Sequence, residues 1–186
     1  MAIATILTVR QNDLSTLAPE QGVLVLREIL WAEASVSGIP KSCVSVPGEI
    51  FEPDGGIDAE VKDSPSNSKQ GIIKAGLTSY QIKTGKSDLN QLATLKDILF
   101  KKNKKKKSND LKPEVKKCLD TGGTFTVVHF GWDGPDVKVK KATAVIKKLL
   151  TEIAKKYKTT RIVIIPQNKI IGLLGLYPSL ALFNGE

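Results

Sequence analysis

Two short apolar segments held apart by a long amphipathic one constrain this chain more than any other feature. Thr124–Phe130 (TFTVVHF) and Arg161–Ile165 (RIVII) are β-branched or apolar at nearly every position, the composition of buried strands. Between them Asp136–Lys158 places apolar residues at helical spacing and lysines elsewhere, the pattern of an amphipathic helix. Gln167–Leu176 then predicts a short helix after the second strand.

The first half of the chain changes period just as often. Pro19–Ser37 predicts a helix that stops at Gly38 and Pro40, both standard punctuation for a helix end. Cys43–Phe51, Ile57–Lys62 and Thr78–Thr84 are β-branched or alternating, and are divided by PG, DGG and SPSNS stretches, as strands joined by turns are. Asp88–Phe100 returns to helical spacing through Leu89, Leu92, Leu95, Ile98 and Leu99. Lys101–Lys107 (KKNKKKK) opens a polar stretch ending near Pro113, and the expectation for 101–113 is a flexible lysine-rich loop, because adjacent like charges repel. The order αβββα, loop, βαβα predicts an α/β fold with one central mixed β-sheet flanked by helices. No internal repeat breaks it, and 186 residues suit a single domain, 1–186.

Composition excludes several classes. Hydrophobic content of 41% and charged content of 25% are globular values that rule out a disordered or fibrous chain. A chain of this size buries roughly 70% of its unfolded surface and needs no disulfide or metal staple. His129 is the single histidine, so multi-histidine metal sites are excluded, and in an apolar strand it reads as a core residue rather than a base. Cys43 and Cys118 stand far apart with no CxxC, which writes neither a zinc site nor a disulfide framework. The most apolar run, Ile170–Phe183, contains Pro178 and is shorter than the roughly 20 residues a membrane span needs. The start MAIATILTVRQND lacks a basic leader, so the expected location is the cytoplasm, with no membrane partner. A net charge of +9 favours a polyanionic partner, although a solvated basic surface gives the same total.

The candidate chemistry lies in the two middle strands. Alternation puts Ile57, Ala59 and Val61 on one face and Asp58 and Glu60 on the other. In the next strand Gln81 and Lys83 share a face, while Tyr80 and Ile82 take the opposite one. If the two strands form a hairpin, a carboxylate, an amide and an ammonium converge. Carboxylate, amide and carbonyl oxygens suit a hard cation, Mg²⁺ or Mn²⁺, that keeps several waters, and a lysine beside it could orient one of those waters. The plainer alternative is a turn acid and a surface lysine. On the first helix, Leu26, Ile29, Leu30 and Glu33 form one stripe with Glu33 at its centre, while Glu28 lies on the far side. A carboxylate within an apolar stripe is costly unless paired or metal-bound, so Glu33 is preferred to Glu28 as the helix-borne acid. The alternative for Glu33 is a helix-end acid that reaches solvent.

Competing motifs are weaker. Gly85-Lys86-Ser87 matches the tail of a phosphate-binding loop, but Tyr80 stands where its first glycine should be. Trp31 and Trp132 are not interleaved with basic residues, so no stacking platform for single strands is written. Lys138, Lys140, Lys141, Lys147, Lys148, Lys155 and Lys156 read as an exposed helix face.

A helix glutamate, then PDGGID on a strand, then QIK on the next strand resembles the PD-(D/E)XK nucleases in their Mrr-like branch, which commonly carries glutamine at the variable position. The resemblance implies a restriction-endonuclease-like sheet and metal-dependent hydrolysis of DNA phosphodiesters. It maps Asp58 onto the metal-binding acid, Gln81 onto the variable ligand and Lys83 onto the catalytic lysine. Glu33 and the carbonyl of Ile82 would complete the ligands of Mg²⁺ or Mn²⁺, Lys83 would position the attacking water, and Asp54 and Glu60 are second choices. Gln81 departs from the acid in the family name and removes one negative charge from the site.

The wider string ILWAEAS, GIP, PDGGIDAEV, SYQIKTG, KKCLD, QNKIIGLL and PSLALF is similar to the N-terminal nuclease domain of large bacterial antiviral STAND NTPases. That resemblance implies an N-terminal fragment of a longer protein whose partners are its own NTPase and sensor regions and, through them, a phage protein trigger. It also implies a homo-oligomer when activated, acting on double-stranded DNA. Lys104, Lys105, Lys106 and Lys107 are candidate contacts to DNA phosphates. The alternative is a catalytically inactive DNA-binding or interaction domain of the same fold.

Overall fold

The computed structural model describes residues 9–46, 56–101, 110–177 and 180. A short helix α1 (Gln11–Ser15) leads into α2 (Pro19–Val36). Pro19 opens α2, where a missing N–H costs nothing, and the Gln21 side chain accepts the Ala18 N–H at 2.9 Å. Gly38 ends it with φ +67°, letting Ile39 N–H reach back to the Ala34 carbonyl at 2.8 Å. Strands β1 (Val44–Ser45), β2 (Ala59–Ser64) and β3 (Gly76–Lys83) follow, then α3 (Leu92–Leu99) and α4 (Pro113–Asp120). The chain then alternates through β4 (Thr124–His129), α5 (Asp136–Ile153), β5 (Arg161–Ile165) and α6 (Gln167–Leu176).

The five strands form one mixed sheet in the order β1-β2-β3-β4-β5. β1, β2 and β3 pair antiparallel, while β3–β4 and β4–β5 pair parallel. The chain is an α/β fold. Every residue of the interior strand β4 is buried, which explains why its sequence lacks alternation. Each sheet face has its own core. Ala59, Val61, Tyr80, Ile82, Val128 and Phe130 pack with α2 and α6, and Phe125, Val127 and Ile164 pack with α3, α4 and α5.

Several expected bounds move. The β2 strand starts at Ala59, and Ile57 packs in the core opposite to that of Ala59 and Val61. The turn at Gly56, with φ +99°, breaks the alternation there. The expected Asp136–Lys158 helix ends at Ile153, and Lys155–Thr159 forms a 3₁₀ turn. Of the expected Cys43–Phe51 strand only Val44–Ser45 lies within β1, and residues 47–55 are outside those described. The lysine run is also outside them from residue 102 to 109. Its stem is closed, however: Phe100 bridges Leu111, and Lys112 N–H donates to the Leu99 carbonyl at 2.9 Å. Leu111, within the expected loop, is buried, and α4 begins at Pro113, where the sequence reading assigned no element.

Candidate active site

β2 and β3 are neighbours in the sheet with Ala59 opposite Tyr80. One residue earlier, Asp58 N–H donates to the Tyr80 carbonyl at 2.8 Å, and the Asp58 carboxylate accepts the Ile82 N–H at 2.6 Å. The acid thus closes the end of the hairpin, beside the strand that carries Gln81 and Lys83. A carboxylate accepting a backbone N–H is a charge-assisted contact that fixes its orientation.

Gln81 and Lys83 point to the face covered by α3, α4 and α5. Gln81 is 3% exposed. With the amide assigned so that its oxygen meets the Lys112 ammonium and its nitrogen the Ile98 carbonyl, it donates to Ile98 and accepts from Lys112 Nζ, both at 3.0 Å. Lys83 Nζ lies 3.6 Å from Asp97 Oδ2 on α3, with both side chains partly open to solvent. Asp58, Gln81 and Lys83 are therefore gathered at one end of the β2–β3 pair. Asp97 and Lys112, which the sequence reading missed, join them. Asp97 sits among the polar positions of an amphipathic helix, and Lys112 follows a run of lysines, so neither stood out by spacing.

His129 is level with Lys83 in the parallel β3–β4 register and fully buried. Its Nδ1 accepts the Gly131 N–H at 3.2 Å, so the proton resides on Nε2, which donates to Ser87 Oγ at 2.8 Å. Burial, reinforced by the nearby Lys83 charge, lowers its pKa to about 4. A ring whose Nε2 already carries the proton cannot take one from Ser87, so the pair is not a nucleophile and base. The core reading of His129 agrees with this geometry.

The helix acid is where the structure departs from expectation. Glu33 is fully buried, but its carboxyl accepts the Gln70 N–H at 3.2 Å and the hydroxyl of Tyr177 just beyond α6. It lies in the layer with α2, α6 and Tyr80, across the sheet from Gln81 and Lys83. It is also far along the helix: Gly22 is the α2 residue against Ile82 and Thr84, and Glu33 is eleven residues later, about 16 Å at the helical rise. The apolar stripe was correctly read, but its polar group is satisfied by a hydrogen-bond pair rather than by the site. Glu28 is engaged with Arg27 at 3.1 Å. Glu60 faces Ser79 at 3.2 Å and Lys62 at 2.9 Å. Asp54 and Lys104, Lys105, Lys106 and Lys107 fall outside the described residues.

No group of three or more His, Cys, Asp and Glu side chains suited to a metal occurs among the described residues. The oxygen set at the hairpin end is one carboxylate, one amide oxygen and the backbone of Ile82. Such a set fits a cation like Mg²⁺, which is commonly held by one or two carboxylates and keeps several waters. No helix among the described residues is long and apolar enough to cross a membrane. Comparison with protein-family models, with curated proteins and with solved structures returned no match.

Proposed function

We propose that this chain is a metal-dependent DNA endonuclease domain. The observation that carries the reading is the convergence of Asp58, Gln81 and Lys83 at one end of β2 and β3, with the Asp58 carboxylate fixed on the Ile82 N–H at 2.6 Å. Bound Mg²⁺ or Mn²⁺ would supply Lewis-acid charge on a phosphate oxygen and an acidified water. Asp58 and the Gln81 carbonyl, with the Ile82 carbonyl, are the oxygens that would hold it. Lys83 would orient the attacking water and shield charge building on the phosphate, and Asp97 fixes the direction of Lys83. Attack would form a P–O bond from the water oxygen, whose proton passes to solvent, as the P–O bond to the departing sugar oxygen breaks and that oxygen takes a proton from solvent. The basic excess of the chain favours binding of the duplex.

The resemblance to antiviral STAND NTPases supports a place in bacterial anti-phage defence. In that reading this effector domain acts in the cytoplasm and is switched on by oligomerisation when the NTPase and sensor regions detect a phage protein. A second reading, a DNA-binding domain without catalysis, is favoured by one specific feature. Gln81 is neutral and its carbonyl is already engaged by Lys112.

Incubation of the concentrated protein with plasmid, with and without Mg²⁺ or Mn²⁺, tests the proposal. The expected result is nicked or linear DNA only with metal. Asp58→Ala or Lys83→Ala should slow cleavage by on the order of 10² or more, as loss of a preorganised charged group does. Equal cleavage by wild type and both variants identifies a contaminant and removes the assignment. Metal-independent duplex binding without cleavage, even in an oligomerised form, favours the second reading.

A further inference from the structure

We propose that Lys112 is a phosphate-binding residue of this site and competes with divalent metal for the Gln81 carbonyl. The inference rests on the nuclease reading above and adds a residue that neither the motif nor the spacing contains.

Three observations place the ammonium there. The backbone of Lys112 is pinned by its N–H to Leu99 at the end of α3, one residue before Pro113 starts α4. Its aliphatic stem then lies along Gly56: a Cβ added to that glycine would stand 2.4 Å from Lys112 Cδ, 3.3 Å from its Cβ and 3.4 Å from its Cγ. At Gly56 φ is +99°, so the turn before Asp58 both requires glycine and leaves a groove that the lysine stem fills. Finally, Nζ ends 3.0 Å from the end of the nearly buried Gln81 amide, whose oxygen is assigned there because an ammonium can only donate.

Long lysines ordinarily run their stems over apolar surface and release the ammonium to water. This one is directed inward, immediately before the helix that flanks the site, onto the side chain that the resemblance assigns to metal. An ammonium is a compact cation with three donors and no acceptor. On the Gln81 carbonyl it engages the oxygen that would otherwise be free to hold a metal. Next to a scissile phosphate, the same donors suit a non-bridging oxygen. Exchange between the two partners follows: phosphate draws Lys112 off Gln81, and the amide oxygen becomes available to metal only as substrate arrives. Glutamine rather than an acid at position 81 keeps this exchange easy, because an acid there would form a buried ion pair with Lys112 that is harder to separate.

Lys112→Met and Lys112→Arg, made in the full chain, test this by two binding measurements that require no turnover. The first is titration of a fluorescent duplex oligonucleotide in EDTA at several salt concentrations. Lys112→Met should reduce the magnitude of the log K against log salt slope by about 0.9, one phosphate contact, and Lys112→Arg should keep the wild-type slope. The second is calorimetric titration with Mn²⁺ in the absence of DNA, in which Lys112→Met should bind more tightly than wild type. Circular dichroism confirms that each variant is folded, and if Lys112→Met is not, Lys112→Gln replaces it. If wild type binds and cleaves DNA but the slope and the Mn²⁺ affinity are unchanged in the variants, with only the melting temperature lowered, Lys112 is a strut and the proposal is overturned alone. If wild type binds no duplex and no Mn²⁺, the nuclease reading is overturned and this inference with it.

Discussion

Individual buried polar groups decide how much of this sheet is given to stability and how much to chemistry. Thr124 and Thr126 on β4 are fully buried, and neither hydroxyl has a hydrogen-bond partner among the described residues. Thr126→Val keeps the shape and removes an unsatisfied group, so it should raise stability by about 1 kcal/mol in denaturant unfolding. The Glu33 carboxyl is satisfied by Tyr177 and Gln70. Tyr177→Phe withdraws one donor from a buried acid and should cost about 1–3 kcal/mol. The Tyr177 hydroxyl is itself pushed up to about 12 by burial and by the neighbouring carboxyl, so it remains a donor throughout the neutral range. Glu33→Gln should leave Mn²⁺ affinity unaltered by calorimetry, the opposite of what the motif alone implies, because Glu33 lies across the sheet from Gln81. His129 supplies a pH dependence. Its folded pKa of about 4 is below the unfolded value of 6.5, so between these limits the unfolded chain binds more protons than the folded one. Its contribution is therefore complete above pH 6.5 and is lost as pH falls toward 4, by up to about 3 kcal/mol. With a single histidine in the chain, one imidazole resonance reports the titration directly, and His129→Gln should flatten the stability profile across that window.

At the level of elements, the candidate site lies where two strand ends stop together and their loops pass each other closely. The Lys83 carbonyl accepts the Phe130 N–H at 2.8 Å, and a Cβ on Gly131 would fall 1.8 Å from the Gly85 carbonyl oxygen. That contact is with backbone and cannot be relieved by turning a side chain. Gly131→Ala should therefore force the β3 and β4 ends apart, lowering the melting temperature and cleavage together, whereas Gly172→Ala on α6, where nothing lies within 4 Å of the added carbon, should do neither. The same passage explains what was legible beforehand. β5 and α6 are found where their sequence put them, since each is bounded by a proline or a charged turn and has one unambiguous period. That Asp58 lies beside the strand carrying Gln81 and Lys83 was legible because hairpin pairing is a local rule. Glu33 was not, since a helical wheel gives a direction but not which layer or which level of the sheet the helix covers. Asp97 and Lys112 were invisible because each reaches the site across a tertiary contact, from an element that looks like ordinary polar surface in one dimension. Ile57 was misread because a single positive-φ glycine next to it resets the alternation.

Across the whole molecule, charge and connectivity set the remaining expectations. The excess of +9 should make duplex binding strongly salt-dependent. Replacing Lys104, Lys105, Lys106 and Lys107 with serine should flatten the slope by roughly two to four units if they meet phosphates, uniformly across DNA sequences, since such contacts do not read bases. An unchanged slope would assign the run to solvent and leave the duplex to other lysines. The two ends of the described chain are meanwhile tied together: the Gln167 amide donates to the Gln11 carbonyl across 156 positions, and Tyr177 meets Glu33 across 144. Chains emerge from the ribosome N-terminus first, at roughly 5–20 residues per second. The α2 layer is consequently made early and waits, with its acid lacking the tyrosine donor, until α6 has been synthesised and left the exit tunnel. The residues of the candidate site are translated before that moment, while the layer behind them is still open. Closure of the α2 layer is thus timed by α6, and a ribosome stalled between β5 and Tyr177 should hold a chain in which Asp58, Gln81 and Lys83 are already made while the Glu33 carboxyl still lacks its tyrosine donor.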